Sequence, residues 1–402
     1  MKFHLNLIKA VNTAIYTIFE EGKYADKALE RLLKSDNRWG ARDRAFIAEN
    51  TYEMVRYWRL IRHVAGLENH ELNDPNLFTL FGTWQVLKGV KIPEWQEFRN
   101  VEPKKVEHTY NQIKTQRKLV YSYPDWLDEL GVKELGKQWN IEAEALNEQA
   151  PVVIRVNLLK TTKEELMKSL AERDIKTFVI EGCKDGLRLD QRQNLFITPE
   201  FKEGLFEVQD ASSQLVVPFL QVEPGMRVID ACAGAGGKTL HLASAMANKG
   251  RIISMDTEQW KLDEMKKRGR RAGVSTVEPR LIEGSKTIKK LEKQADRLLL
   301  DVPCSGLGVL KRNPDAKWKL DKSFIDRLQT TQQEIISSYS NMVKPGGKMV
   351  YATCSILPSE NQKQVETFLA SHPEFELEEM KTILPSESGF DGFFMARILR
   401  KS

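Results

Sequence analysis

Cysteine is scarce in this chain of 402 residues: Cys183, Cys232, Cys304 and Cys354 are the only four. None pairs with another at C-x-x-C spacing, so neither a disulfide framework nor a structural zinc site of paired thiolates is expected. No apolar run reaches the roughly 18 residues of a membrane span. The stretch Met1 to Ala10 lacks the apolar core of a signal peptide, which points to a cytoplasmic location. Internal repeats and low-complexity tracts are absent as well. What is present is a globular balance, 41% apolar and 29% charged, with length enough for two or three domains.

Charge is unevenly spread. Residues 1–120 hold 20 basic and 15 acidic side chains, and the remaining 41 and 41 cancel over residues 121–402. The whole excess of +5 therefore lies in the N-terminal third. A mildly basic appendage on a neutral body suits RNA, because phosphate contacts supply sequence-independent affinity. A solvated helical surface gives the same count. Within that third, Leu29, Leu32 and Leu33, then Phe46, Ile47, Tyr52, Met54, Val55 and Trp58, recur at helical spacing, and a small helical bundle follows. YSYPDW (Tyr121–Trp126) is a plausible joint.

Beyond about Asn140 short strands appear at Val152–Asn157, Phe178–Ile180, Leu187–Leu189 and Leu205–Val208. A helix spans Thr162–Arg173, with Thr162 as its N-cap. After Gln209 strands and helices alternate. Strands are expected at Arg227–Asp230, Arg251–Asp256, Arg280–Ile282, Arg297–Asp301, Lys348–Thr353 (after a PGG turn at 345–347) and Gly392–Ile398. Helices are expected at Thr239–Ala247 and from Thr257 to about Lys267. Such βα units build a mostly parallel, doubly wound sheet whose ligand lies at the carboxyl ends of the strands. That end carries Asp230, Asp256, Asp301 and Cys354.

The segment DACAGAGGKT (Asp230–Thr239) is rich in glycine but fits neither phosphate motif. A P-loop needs glycine where Cys232 stands, and the third glycine of G-x-G-x-x-G falls on Thr239. An ATPase built on GKT and RLLLD is thereby disfavoured. A glycine turn at a helix N-terminus remains, followed after the next strand by Asp256, whose carboxylate can accept both ribose hydroxyls. A nucleoside cofactor without phosphate clamps fits, and S-adenosylmethionine is the main candidate. A plain N-cap role for Asp256 competes with this. Cys304 and Cys354 follow strands at the ligand end. A lone cysteine is usually a small buried hydrophobe, yet two thiols at this place can serve as nucleophile and assistant on carbon 6 of a pyrimidine.

The motifs, taken in order, resemble the RsmB/Sun-type RNA cytosine-5 methyltransferases. RVNLLKTT is similar to the family's RNA-side signature, and FEVQDASSQLV to the motif opening its catalytic domain. DACAGAGGKT is similar to the cofactor motif D-x-C-A-A-P-G-G-K-T, and DVPCSGLGVLKRNPDAKW to motif IV. MVYATCSILPSEN matches the nucleophile motif with its P-x-E-N, and DGFFMA the terminal strand. The resemblance implies a Rossmann-like S-adenosylmethionine-dependent methyltransferase domain over 206–402. A small α+β RNA-side subdomain over 126–205 would precede it, and an all-α NusB-like RNA-binding domain over 1–125. It implies Cys354 as nucleophile, Cys304 in product release, and Asp301 at the base edge and the methionine end of the cofactor. Cys232, Ala233, Gly234, Ala235, Gly236, Gly237 and Lys238 would wrap the cofactor, with Asp256 on its ribose. The expected partner is RNA, small-subunit ribosomal RNA above transfer RNA, bound by a monomer that needs neither metal nor membrane. Two departures stand out. Gly234 and Ala235 replace Ala and Pro, and Ser285 stands where an Asp near the adenine is usual, so that Glu283 or Ser285 would have to serve. The alternative is an RNA-binding assembly factor on a catalytically degenerate methyltransferase body.

Overall fold

A computed structural model describes residues 3–402; Met1 and Lys2, the start of the N-terminal stretch considered above, lie outside the described residues. The chain forms two compact units, one of residues 1–148 with 310–321, the other of residues 149–309 with 322–402.

The first unit is helical, as the apolar spacing predicts. Helices Leu5–Phe19, Ala25–Ser35, Ala41–Arg56, Trp58–Ala65 and Asp74–Leu87 enclose one core in which Ile8, Ile15, Ile47 and Phe81 are fully buried. The YSYPDW segment contributes Tyr123 to the interior. Its hydroxyl donates to the Ala143 carbonyl, and its ring meets Trp139 edge-on. A feature without sequence signature is the inclusion of Leu310–Asp321, the tail of the DVPCSGLGVLKRNPDAKW motif, in this helical unit. Trp318 Nε1 donates to Val55 O at 2.8 Å, and Asp315 accepts from the Ala25 amide at 2.9 Å, serving an otherwise orphaned N–H at a helix start. Lys317 is wholly buried, and its ammonium donates to Arg56 O, Tyr121 O and Asn147 Oδ1. Burial, with Arg56 close by, holds it well below the ordinary lysine range.

The second unit opens with a four-stranded antiparallel sheet of β1 (Val153–Val156), β2 (Thr177–Ile180), β3 (Cys183–Leu189) and β4 (Phe206–Val208), in the order β2-β3-β1-β4. Ile154, Val156, Leu187 and Phe206 bury one face with Leu166 and Leu170 of helix Lys163–Ala171. Thr162 caps that helix as expected, in a reciprocal pair with Glu165.

The larger sheet contains β5 (Arg227–Asp230), β6 (Arg251–Asp256), β7 (Val277–Leu281), β8 (Ala295–Asp301), β9 (Val343–Thr353), β10 (Phe375–Ile383) and β11 (Phe393–Arg400). Their order is β10-β11-β9-β8-β5-β6-β7. Strands β5 to β9 pair in parallel, and β11 runs antiparallel between β9 and β10. Ile229, Ile253, Leu298, Leu300 and Met349 fill one layer, and Val228, Leu242, Ile252, Leu299 and Val350 the other. This is the mostly parallel Rossmann-like α/β sheet that the βα alternation predicts.

Three details differ from the sequence reading. Strand β10 escaped it because its FELEEMKTI sequence sits at the sheet edge with Glu376–Thr382 exposed, where charge guards an unpaired edge. Strand β7 begins earlier than expected and contains Pro279, tolerated because β7 is the other edge. The PGG segment lies within β9, where Gly346 has φ +71° and the pairing with β8 shifts register.

Candidate active site

Strand β5 delivers Asp230 to the carboxyl end of the sheet, and the chain then turns through Cys232–Gly236 into helix Gly237–Ala245. The turn depends on glycine at two places. Gly234 has φ +54° and Gly236 φ +86°, and a Cβ on Gly236 would stand 2.4 Å from Met265 Cγ. Two arginines hold the turn from outside: Arg268 donates to Ala235 O at 2.9 Å, and Arg155 of β1 donates to Gly237 O at 2.7 Å. Arg268 in turn pairs with Glu207 of β4, so the small sheet braces the glycine turn. Burial brings Arg155 down to about 10.

Asp256, at the end of β6, turns its carboxylate to this loop. Oδ2 accepts from the Gly234 amide and Oδ1 from the Glu258 amide, both at 3.0 Å. Helix Gln259–Ala272 begins later than expected and takes Glu258 as its N-cap, so Asp256 is not the cap. Asp230 is fully buried, which pushes its carboxyl up to about 7. Thr239 donates to one oxygen, and the other has no partner in the described residues.

A cavity of about 230 Å³ opens here between Cys232, Gly234, Asp256, Asp301, Ile282 and Tyr339, with Thr257, Lys261, Pro303 and Ile335 completing its wall. The residues suit a nucleoside sulfonium. Asp256 offers a carboxylate for a pair of hydroxyls, Ile282 and Ile335 offer apolar wall, and among the described residues the lining cation, Lys261, is already paired with Asp256 and Glu258. A phosphate-bearing ligand would find no cationic cradle. Lys261, Ile282, Ile335 and Tyr339 were missed by sequence reasoning because they come from separate helices and loops and carry no motif. Neither Glu283 nor Ser285 lines the cavity. Cys232 does, and burial, with Asp230, Asp301 and Asp256 around it, keeps it a thiol.

Lys238 points away from the glycine turn. Its ammonium is 2.6 Å from Asp301 Oδ2 and lies over the Phe393 ring. Past Asp301 the chain reaches Cys304, and past the end of β9 it reaches Cys354. The two sulfurs are 3.4 Å apart and unbridged. The hydrogen bond with Cys354 comes first among the causes that push Cys304 well above the ordinary thiol range, followed by burial. The structure thus brings together, around one strand end, the glycine turn, Asp256, Asp301, Cys304 and Cys354. Cys183 lies elsewhere, buried beside Ala211 and Gln214. Among the described residues no cluster of His, Cys, Asp and Glu could hold a metal, and no helix is long and apolar enough to cross a membrane.

The sheet with its reversed strand β11, and a cavity at its carboxyl edge whose lining fits a nucleoside, are those of an S-adenosylmethionine-dependent methyltransferase. Residues 217–399 match the family model of the 16S rRNA methyltransferases RsmB/F, and residues 123–195 match that of the RsmF/B-like ferredoxin-like domain. The chain is 37% identical over 302 residues to a probable ribosomal RNA small subunit methyltransferase B of Synechocystis, covering 69% of this chain and 67% of that protein. The crystal structure of PH0851 superposes with a TM-score of 0.83 at 26% identity, over 99% of each chain. A methyltransferase homolog from Pyrococcus horikoshii gives 0.63 at 28% identity, over 71% of this chain and 97% of that one. The chain belongs to the RsmB/F methyltransferase family.

Proposed function

We propose that this protein methylates carbon 5 of a cytosine in small-subunit ribosomal RNA through a transient covalent bond to Cys354. The observation that carries the reading is the pair of free thiols 3.4 Å apart beyond the adjacent parallel strands β8 and β9. Carbon 5 of cytosine is a weak nucleophile. A Cys354 thiolate that bonds to carbon 6 moves the ring's electron pair onto carbon 5. When bound, S-adenosylmethionine supplies an electrophilic methyl group to that carbon. Loss of the carbon 5 proton to solvent water then restores the double bond and expels the Cys354 thiolate. Cys304, kept as a thiol, hydrogen-bonds the departing sulfur and assists release. Asp301, with Oδ2 held by Lys238, takes up the amino edge of the base. The turn Cys232–Gly237 wraps the cofactor, Lys238 holds Asp301 beside it, and Asp256 binds the ribose hydroxyls. The target base has to leave its stack to reach this site.

The basic helical region and the small sheet are assigned to RNA, in a division 1–125, 126–205 and 206–402, in a cytoplasmic monomer that uses no metal. The test has two arms. Cys354→Ala should abolish methyl transfer to unmodified small-subunit RNA while titration calorimetry still shows S-adenosylmethionine binding. Cys304→Ala should accumulate a protein–RNA adduct that resists denaturant. Full methylation by Cys354→Ala would overturn the assignment, and absence of cofactor binding by the wild type would favour an assembly factor. Bisulfite sequencing of RNA from a deletion strain would name the cytosine.

A further inference from the structure

Each cysteine of the pair is followed directly by a serine, Ser305 after Cys304 and Ser355 after Cys354. Both serines are buried, and both hydroxyls donate to one carboxylate, that of Glu360, which is itself fully buried. The same carboxylate accepts the Ser305 amide at 2.7 Å and Gln332 Nε2 at 3.1 Å. Four donors from three chain segments therefore converge on Glu360. Its own backbone is fixed as well, because the Tyr351 hydroxyl donates to the Glu360 carbonyl at 2.7 Å. Two further bonds join the two cysteine loops: the Ser305 and Ser355 hydroxyls lie 3.3 Å apart, and the Gly308 amide donates to the Cys354 carbonyl at 2.9 Å.

We infer that Glu360 is the positioning residue of the thiol pair: one carboxylate gathers the serine beside each cysteine and so sets the distance between Cys304 and Cys354. The inference rests on the covalent reading above, in which both sulfurs work on one base. It adds a residue that touches neither base nor cofactor in that scheme. Methionine fills similar space and leaves all four donors without an acceptor, whereas glutamine can still engage both serines, because a hydroxyl accepts from an amide NH2 as readily as it donates to a carboxylate. Aspartate keeps both oxygens and is one methylene too short to reach both serines. The negative charge of Glu360 also contributes to keeping Cys304 protonated.

The spacing can be read without RNA or cofactor. Diamide takes two electrons and two protons from a thiol pair, forming one S–S bond and a hydrazine, and its rate depends on how closely the sulfurs are held. In the full-length protein, Cys304–Cys354 disulfide formation, followed by mass spectrometry, should slow at least about tenfold in Glu360→Met. In the same variant kcat should fall on the order of a hundredfold, as for misplaced reacting groups, with KM for S-adenosylmethionine within about twofold. Ser355→Ala, which removes a single donor, should show smaller changes in the same direction and serves if Glu360→Met does not fold. Glu360→Met or Ser355→Ala that forms the disulfide and turns over at the wild-type rate would overturn the inference. Cys354→Ala run alongside separates the two claims, because its full activity would remove the covalent reading and leave the diamide measurement intact.

Discussion

Lys238 and Asp301 form an ion pair at 2.6 Å that joins the helix behind the glycine turn to the tip of β8. Lys238, which the resemblance assigns to the cofactor, thus also holds the acid proposed for the base edge. The pair couples the helix after the glycine turn to the segment carrying Cys304, since Asp301 is the last residue of the strand that leads to it.

Replacing Lys238 with Met should therefore impair the RNA step more than cofactor binding. Loss of one charge-assisted hydrogen bond, about 1.5–3 kcal/mol, corresponds to roughly a ten- to hundredfold fall in kcat/KM for RNA. Calorimetric affinity for S-adenosylmethionine should change less than threefold. An equal loss in both would show that Lys238 serves the cofactor.

The two left-handed glycines of the turn should respond differently to alanine. Gly234→Ala meets open space and incurs only the backbone strain of positive φ, roughly 1–2 kcal/mol. Gly236→Ala adds a collision with Met265 and should lower stability by about 3 kcal/mol or more. Denaturant titration of the two variants checks the order. Similar losses would mean that Met265 yields.

His241, on the helix behind the turn, is buried against Asp185 of β3, and burial brings its pKa from 6.5 down to about 4. The unfolded chain then binds more protons than the native one between those values. The contribution of His241 should accordingly fall by up to about 3 kcal/mol as pH drops from 6.5 to 4, opposed over the same range by Asp230, whose raised carboxyl binds its proton first in the native state. His241→Gln, which keeps a donor for Asp185, should flatten that limb relative to wild type. A limb of unchanged steepness would assign the acid loss to other groups.

In the helical unit, Lys317→Met should leave the acceptors Arg56 O, Tyr121 O and Asn147 Oδ1 facing a methyl thioether, for a loss of about 2–4 kcal/mol. Asp315→Ala, which removes a partner of the Ala25 amide, should lose about 1 kcal/mol. Thermal melts of the full chain would register both. Wild-type melting of Lys317→Met would show that water takes over the three acceptors.

The parallel strands were readable because each is a short apolar run ending in an acid or cysteine, as in RVID, RIISMD and RLLLD. That the glycine turn, Asp256, Asp301, Cys304 and Cys354 gather at one end of the sheet followed from their place at strand ends. Strand β10 was not readable, since an edge strand is selected for charge and not for burial. The walls Ile282, Ile335 and Tyr339 carry no pattern of their own, because their meaning arises only from what three-dimensional packing brings beside them. Glu360 stands in the P-x-E-N of the nucleophile motif, but the motif does not say what its carboxylate holds. The helix starts at Gly237, earlier than expected, and so includes Lys238.

The inclusion of Leu310–Asp321 in the helical unit makes that unit discontinuous along the chain. A cut after Glu148 does not separate two modules. The C-terminal piece would carry away Asp315, Lys317 and Trp318, exposing an indole and an ammonium built for an interior, and the N-terminal piece would keep a vacancy where they had been. Expression of either fragment alone is thus expected to yield aggregating or partly unfolded protein. Evolution could exchange the helical unit for another only by rewriting, in the same event, a stretch of sequence lying immediately downstream of Cys304.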